Sequence, residues 1–317
     1  MKDWKGFSKG VNLGGWLSQC DYSEDRLMNF IVESDFQKIA DMGFDHVRVP
    51  VDYNILEDDK GAYIESGFER IAFAIDTAKK YGLNLLLDLH RTAGFMFDEA
   101  VQESGFFEDE ALQERFYRLW CEFAKRFGGD PDHVAFELLN EVTDKEYSPI
   151  WNRIANECIK RIREIAPDTV ILVGSYYNNS VTAVKDLDAP YDDKVVYNFH
   201  CYDPLAFTHQ HAYWVTHEDV DHDMPFEDSG TSEEYFEGLF AEAIKKAEEN
   251  NTVLYCGEYG VIDRADAADA LKWYRTINAV FKKHDISHCV WSYKEMDFGI
   301  MDAKYDGVRD ELIKNLL

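Results

Sequence analysis

Two glutamates lie in or directly after apolar runs: Glu141 follows Asn140 at the end of AFELLNE, and Glu258 sits inside LYCGEYG. Paired carboxylates suit the cleavage of an acetal. One protonates the leaving oxygen, and the other attacks the anomeric carbon or activates water; a separation of about 5 Å favours retention and roughly 6.5–9.5 Å inversion. Arg48, His90, His200, Tyr202 and Trp291 occupy comparable places in other apolar runs. Each has an ordinary reading when taken alone: a glutamate after a strand as a surface charge, His90 or His200 as a satisfied core histidine, Trp291 as barrel filling. Burying so many polar groups without a partner or ligand would cost free energy at each position, so their joint placement points to one site.

Within such a site the roles divide by surroundings. Arg48, if it reaches Glu258, holds that carboxylate ionised as a nucleophile, and Tyr202 adds a hydrogen bond. Glu141 then feels both the charge of Glu258 and partial desolvation, which keep it protonated as the general acid. Once Glu258 is consumed in a glycosyl-enzyme, Glu141 ionises more easily and turns base. Asn140 is placed to bond the sugar 2-hydroxyl, His90 and His200 to orient hydroxyls or carboxylates, and Trp291 to offer a flat face to a pyranose ring.

Positioning these residues requires eight strands, read at 10–16, 46–51, 84–90, 134–141, 169–175, 195–202, 253–260 and 288–294. Most are continuous apolar runs, as buried parallel strands are. Helical periodicity falls between them at 34–42, 64–81, 111–127, 149–165, 232–250 and 265–284, with a weak helix near 181–187. Ser34 and Gln37 have the spacing of a capping box, and Gly43 ends that helix. Alternation of this kind over 317 residues predicts an α/β fold, a single-domain (β/α)8 TIM barrel spanning 1–317, whose active site gathers where strands end. The longest irregular connection, 203–231, is expected to be functional and is a candidate substrate-covering element, and its Phe207 and Trp214 are candidate subsite rings.

Sixty-one acidic against 33 basic residues give a formal charge of -28, which argues against nucleic acid or an anionic membrane as partner and favours a neutral or cationic substrate. Six cysteines show no paired spacing, so no disulfide framework is expected. No signal-like or membrane-spanning apolar stretch is present, which as written predicts a cytoplasmic, monomeric protein, or a secreted one whose signal has been trimmed away. His209 and His211 lack a third ligand at metal-site spacing, so no metal is expected; no dinucleotide or phosphate loop follows a strand, and no cofactor is called for.

At these residues the sequence resembles glycoside hydrolase family 5, specifically the compact bacterial endoglucanase C type. The resemblance runs through GVNLGGW (10–16), FDHVRVPVDY (44–53), DLH (88–90), AFELLNEV (135–142), VYNFHCYDP (196–204), FTHQ (207–210), LYCGEYGV (254–261) and VWSYKEMDF (290–298). It implies retention through a covalent intermediate, with Glu141 as acid/base, Glu258 as nucleophile and Arg48, His90, Asn140, His200, Tyr202 and Trp291 in support. Val142 replaces the proline that many members carry after the acid/base, and the connection after strand six looks shorter than the type's inserted subdomain. The implied activity is endo-acting hydrolysis of β-1,4-glucan, cellulose-type or mixed-linkage. Because GVNLGGW also resembles exo-β-1,3-glucanases, that activity and β-mannan hydrolysis stay open as alternatives, with a non-catalytic glycan-binding barrel less favoured.

Overall fold

In the computed structural model, which describes residues 2, 4–97, 103–216 and 218–317, eight parallel strands pair in chain order and the last closes onto the first. They are β1 (Lys9–Asn12), β2 (His46–Asp52), β3 (Asn84–Arg91), β4 (Val134–Glu137), β5 (Ile171–Val173), β6 (Val195–Cys201), β7 (Leu254–Tyr259) and β8 (Ser287–Val290). The expected (β/α)8 barrel is therefore the observed one. β1, β4, β5 and β8 stop short of their expected ends, because the chain beyond each ladder turns across the barrel mouth. As a result Asn140, Glu141 and Trp291 lie just past strands rather than in them.

The strands read as continuously apolar, yet their side chains alternate between two environments, as the period of two requires. Val47, Val49 and Val51 on β2, Leu85, Leu87 and Leu89 on β3, and Phe136 on β4 join the large core between sheet and helices. The alternate residues fill the barrel in layers. At the bottom Leu86, Ala135, Leu172, Val196, Tyr255 and Cys289 form a separate apolar cluster, corked from below by Trp4 and Phe7. Those two rings stack at 4.3 Å, and Trp4 meets Tyr255 edge-on. Two residues further along the same strands, the layer above is polar: Arg48, Asp88, Glu137 and Asn198, all fully buried.

Helices Glu33–Met42, Glu65–Lys80, Glu110–Phe127, Ser148–Arg163, Glu233–Glu249 and Ala267–Lys283 cover the outside, near their expected places. Between β5 and β6 lie only short segments, the turn Tyr176–Asn179 and the 3-10 segment Val181–Asp186. Two further helices longer than one turn, Glu24–Asn29 and Arg309–Leu316, lie outside the expected set. The capping at Glu33–Met42 also differs from expectation. The helix begins one residue before Ser34, and it is the Asp35 carboxylate that accepts from the Val32 backbone N–H at 3.0 Å. Among the described residues no helix is long and apolar enough to cross a membrane, and all six cysteines are free.

Trp120 shows how the outer layer fixes a strand end. It is fully buried on Glu110–Phe127, packs on Phe123 and Phe136, and donates its indole N–H to Leu138 O at 3.0 Å just beyond β4. Trp120→Ala is expected to destabilise the fold by ~3–5 kcal/mol, measured as a lowered urea midpoint, with Trp120→Phe costing less.

Candidate active site

Arg48 projects from β2 along the barrel axis, three residues into the strand rather than near its end. Its guanidinium is shared out completely. Nε and Nη2 form a fork on Glu137 at 2.7 and 2.8 Å; Nη1 donates to Glu258 Oε1 at 2.6 Å and to Asn12 Oδ1 at 2.9 Å; Nη2 also reaches Asn140 Oδ1 at 2.9 Å. Asp88 Oδ2 lies 3.0 Å from Nη2. Three carboxylates thus face one cation away from water. Burial raises the Asp88 carboxyl to about 7, opposed by Arg48, and burial likewise pushes Glu137 up against the pull of Arg48.

Glu258 owes its aim to a bulge. β6 and β7 pair Phe199 with Cys256 but His200 with Glu258, so Gly257 is an extra residue in the ladder. Cys256 points to the outer core, and regular alternation would send Glu258 there too; the bulge rephases the strand and turns it into the mouth. A side chain at 257 would start 2.7 Å from Asn198 Oδ1, which instead accepts the Gly257 N–H. Tyr202 donates to Glu258 Oε2 at 2.9 Å, and its phenol is held protonated by burial and by the Glu258 charge.

Glu141 sits in left-handed backbone, φ 45°. Its Oε1 is 2.8 Å from His200 Nδ1, and its Oε2 accepts from Asn178 Nδ2 at 3.2 Å. Burial drives His200 down to about 4, so the imidazole is neutral at pH 7. Burial also raises the Glu141 pKa, while Asn178, His90 and Arg48 pull the other way. The charge of Glu258, expected to contribute, is paired with Arg48. Donor atoms of Glu141, His200 and Glu258 lie within 4.8 Å of one another, so the carboxylates approach at the spacing of retention rather than inversion.

Asn140 gives its carbonyl oxygen to Arg48, which leaves Nδ2 buried with no acceptor among the described residues and aimed by that bond. His90 bonds Asp88 through Nδ1 at 2.7 Å and lies parallel to Trp291, ring centres 5.9 Å apart. Gly14 packs against the far edge of Trp291, where a Cβ would stand 2.8 Å from the ring.

The carboxylate pair and all six residues predicted around it therefore converge. Phe207 does not. It is fully buried against Phe226 and is a core ring, because the short helix Leu205–Thr208 turns it inward. Trp214 remains 41% exposed and reaches the site through His209, which lies edge-on between it and Tyr202. His209 and His211 diverge, His211 pairing with Asp223 at 2.9 Å. Glu141, His200 and Glu258 alone among the described residues gather like metal ligands, but a cation there would compete with the Arg48 guanidinium on Glu258. Sequence reasoning missed Asn12, Asp88, Glu137, Asn198 and Asn178. The first four carry a signal that was available, a polar residue in phase with the barrel interior inside an apolar run.

The family model described as Cellulase (glycosyl hydrolase family 5) matches residues 5–297. The chain belongs to glycosyl hydrolase family 5. It is accordingly a cellulase-type glycosidase. Among family 5 relatives, Cellodextrinase A of Ruminococcus flavefaciens is 57% identical over 283 residues, 89% of this chain and 84% of that protein. Endoglucanase C of Acetivibrio thermocellus is 37% identical over 337 residues, 98% of each. The cellulose synthase subunit Z of Clostridioides difficile superposes with a TM-score of 0.82 at 28% identity, covering 98% of this chain and 99% of that one. Thermotoga maritima Cel5A, solved with cellobiose, has the same fold, TM-score 0.82 at 24% identity over 99% and 98%.

Replacing the shared cation strands its carboxylates. Arg48→Met is expected to cost ~3–5 kcal/mol of stability, read by urea denaturation at pH 7. The loss should shrink as pH falls, since protonating Asp88 and Glu137 relieves their unpaired charge.

Proposed function

We propose that the protein is a retaining endo-β-1,4-glucanase in which Glu258 is the nucleophile and Glu141 the acid/base. The observation that carries this reading is the pair of carboxylates within 4.8 Å in opposite electrostatic settings. Glu258 accepts from Arg48 and Tyr202, as an ionised nucleophile should. Glu141 is buried with a raised pKa, as a general acid should be.

In the first step the Glu258 carboxylate forms a bond to the anomeric carbon while the glycosidic C–O bond breaks, and Glu141 delivers its proton to the departing oxygen. The glycosyl-enzyme that results has no charge on Glu258. In the second step Glu141, now ionised, takes a proton from water, whose oxygen attacks the anomeric carbon and releases Glu258. Asn140 Nδ2 donates to the 2-hydroxyl, a bond that strengthens as positive charge builds on the ring. The Trp291 face carries the pyranose, and Trp214 on the 203–231 connection serves a more distant sugar, with 1–317 acting as one catalytic unit.

The relatives that span most of this chain are an endoglucanase and a cellodextrinase; a relative named as a probable glucan 1,3-beta-glucosidase shares only 54% of it. This favours β-1,4-glucan, in soluble polymers and short cello-oligosaccharides, over β-1,3-glucan or mannan. Reducing ends should appear on carboxymethyl cellulose and barley β-glucan; activity confined to laminarin or mannan would reverse the linkage assignment.

Two outcomes test the roles. Glu258→Gly should lose turnover and regain it with azide, yielding the glycosyl azide of inverted configuration; a retained product contradicts the nucleophile assignment. Glu141→Ala should lower kcat/KM on cello-oligosaccharides by ~10²–10⁴-fold and much less on a 2,4-dinitrophenyl cellobioside, whose leaving group needs no proton. The pH profile follows in sign. Activity requires Glu141 protonated, so kcat/KM falls as pH rises through its pKa, and burial places that falling limb above the usual glutamate range.

A further inference from the structure

We propose that Asn178 is a positioning residue for the acid/base: the loop after β5 straps the Asn140–Glu141 turn and delivers an amide N–H to Glu141 Oε2. The proposal rests on the reading of Glu141 as acid/base. It adds a residue to the six that surround the pair.

The strap is built from backbone first. Tyr177 N–H donates to Thr143 O at 2.8 Å and Asn178 N–H to Val142 O at 3.0 Å, so the two residues after Glu141 are held from the side. Tyr177, Asn178 and Asn179 all lie in the left-handed region, φ 52°, 54° and 55°, facing Glu141 at φ 45°. Asparagine tolerates that region through its short polar side chain, but tyrosine has no such reason. Non-glycine residues held there persist only where their surroundings enforce them, and they gather at functional sites. Here the enforcement is visible. Trp151 donates to Gly174 O at 2.8 Å before the strap; Asn179 is buried against Gly174, where any Cβ would stand 2.2 Å from its Oδ1. Asn179 Nδ2 also stands 3.5 Å from His200 Nε2.

The two oxygens of Glu141 are thereby distinguished. Oε1 faces buried His200 on the floor of the cleft. Oε2 meets Asn178, which is exposed, so Oε2 is on the open side where the leaving group must stand. The charged and titratable groups around Glu141 come from the barrel: Arg48 on β2, Asp88 and His90 on β3, His200 on β6, Tyr202 beyond it and Glu258 on β7. Among the described residues Asn178 is the hydrogen-bond donor that reaches Oε2. An amide N–H donates to a carboxylate more strongly than to a carboxyl, so it favours the ionised state. Asn178 therefore opposes burial, setting Glu141 low enough to give up its proton and to accept one back from water in the second step.

The test is the pH profile of kcat/KM on 4-nitrophenyl β-cellobioside for wild type, Asn178→Ala, Asn178→Asp and Glu141→Gln, with folding checked by circular dichroism. Without the N–H the falling limb should move up by about one pH unit, and Asn178→Asp, which sets a negative charge beside Oε2, should move it further. With 2,4-dinitrophenyl β-cellobioside, where the second step limits, the rising limb of kcat should move up as well, because Glu141 must ionise there. A rate loss with unmoved limbs, or a downward shift, overturns the proposal; unmoved limbs in a variant with reduced folding do the same, since strain alone does not discriminate protonation states. A falling limb that persists in Glu141→Gln overturns the acid/base reading itself, whereas one that vanishes there yet stays put in both Asn178 variants overturns only the strap.

Discussion

One guanidinium organises the interior of this barrel. Arg48 faces Asp88, Glu137 and Glu258 in a volume with no water to screen them, and a buried charge stripped of its partner is strongly destabilising. The carboxylates therefore have to come to Arg48, from three different strands, and each strand's register follows from that requirement. Asn12 and Asn198 fill the remaining valences: Asn12 ties Arg48 to the carbonyls of Gly257 and Val290, and Asn198 joins Glu137 to the Gly257 N–H. The polar layer behaves as a single network, in which moving one member leaves another unsatisfied.

That layer also explains why the chemistry sits where it does. Glu258 is the member nearest the mouth, and the Gly257 bulge lets it take one oxygen to Arg48 while offering the other to Tyr202 and the cleft. Glu141 stands outside the network. It touches no cation directly, its partners are a neutral imidazole and an amide, and burial outweighs the pull of Asn178, His90 and the more distant Arg48. Of two glutamates a few ångströms apart, the arginine thus reaches one and not the other.

Much of this was legible in the residues. The eight runs, the six long helices and the convergence of Arg48, His90, Asn140, Glu141, His200, Tyr202, Glu258 and Trp291 are all recoverable from pattern, because strand ends of a barrel face one cleft. What escaped had physical reasons. Continuous apolar runs hide the inward phase, so Asp88 and Glu137 passed unremarked inside NLLLDLHR and VAFE, although both are charges in the phase of the barrel axis. Phe207 was assigned to a solvent-facing loop, whereas the loop folds back as a short helix and buries it; ring content does not reveal which way a connection turns. Asn178 left only a weak signal. Its role depends on left-handed backbone in a loop between two short elements, which the paired asparagines of YYNNS tolerate but do not specify.

The cork of Trp4 and Phe7 beneath Tyr255 has a consequence for the order of events. Stacked rings and an apolar layer close the lower end, so Glu258 lies open toward the mouth, the side on which it meets Tyr202. In the proposed mechanism the water of the second step enters from that same side, so leaving product and incoming water share one face of the barrel, and a second sugar that arrives there ahead of water becomes the acceptor instead.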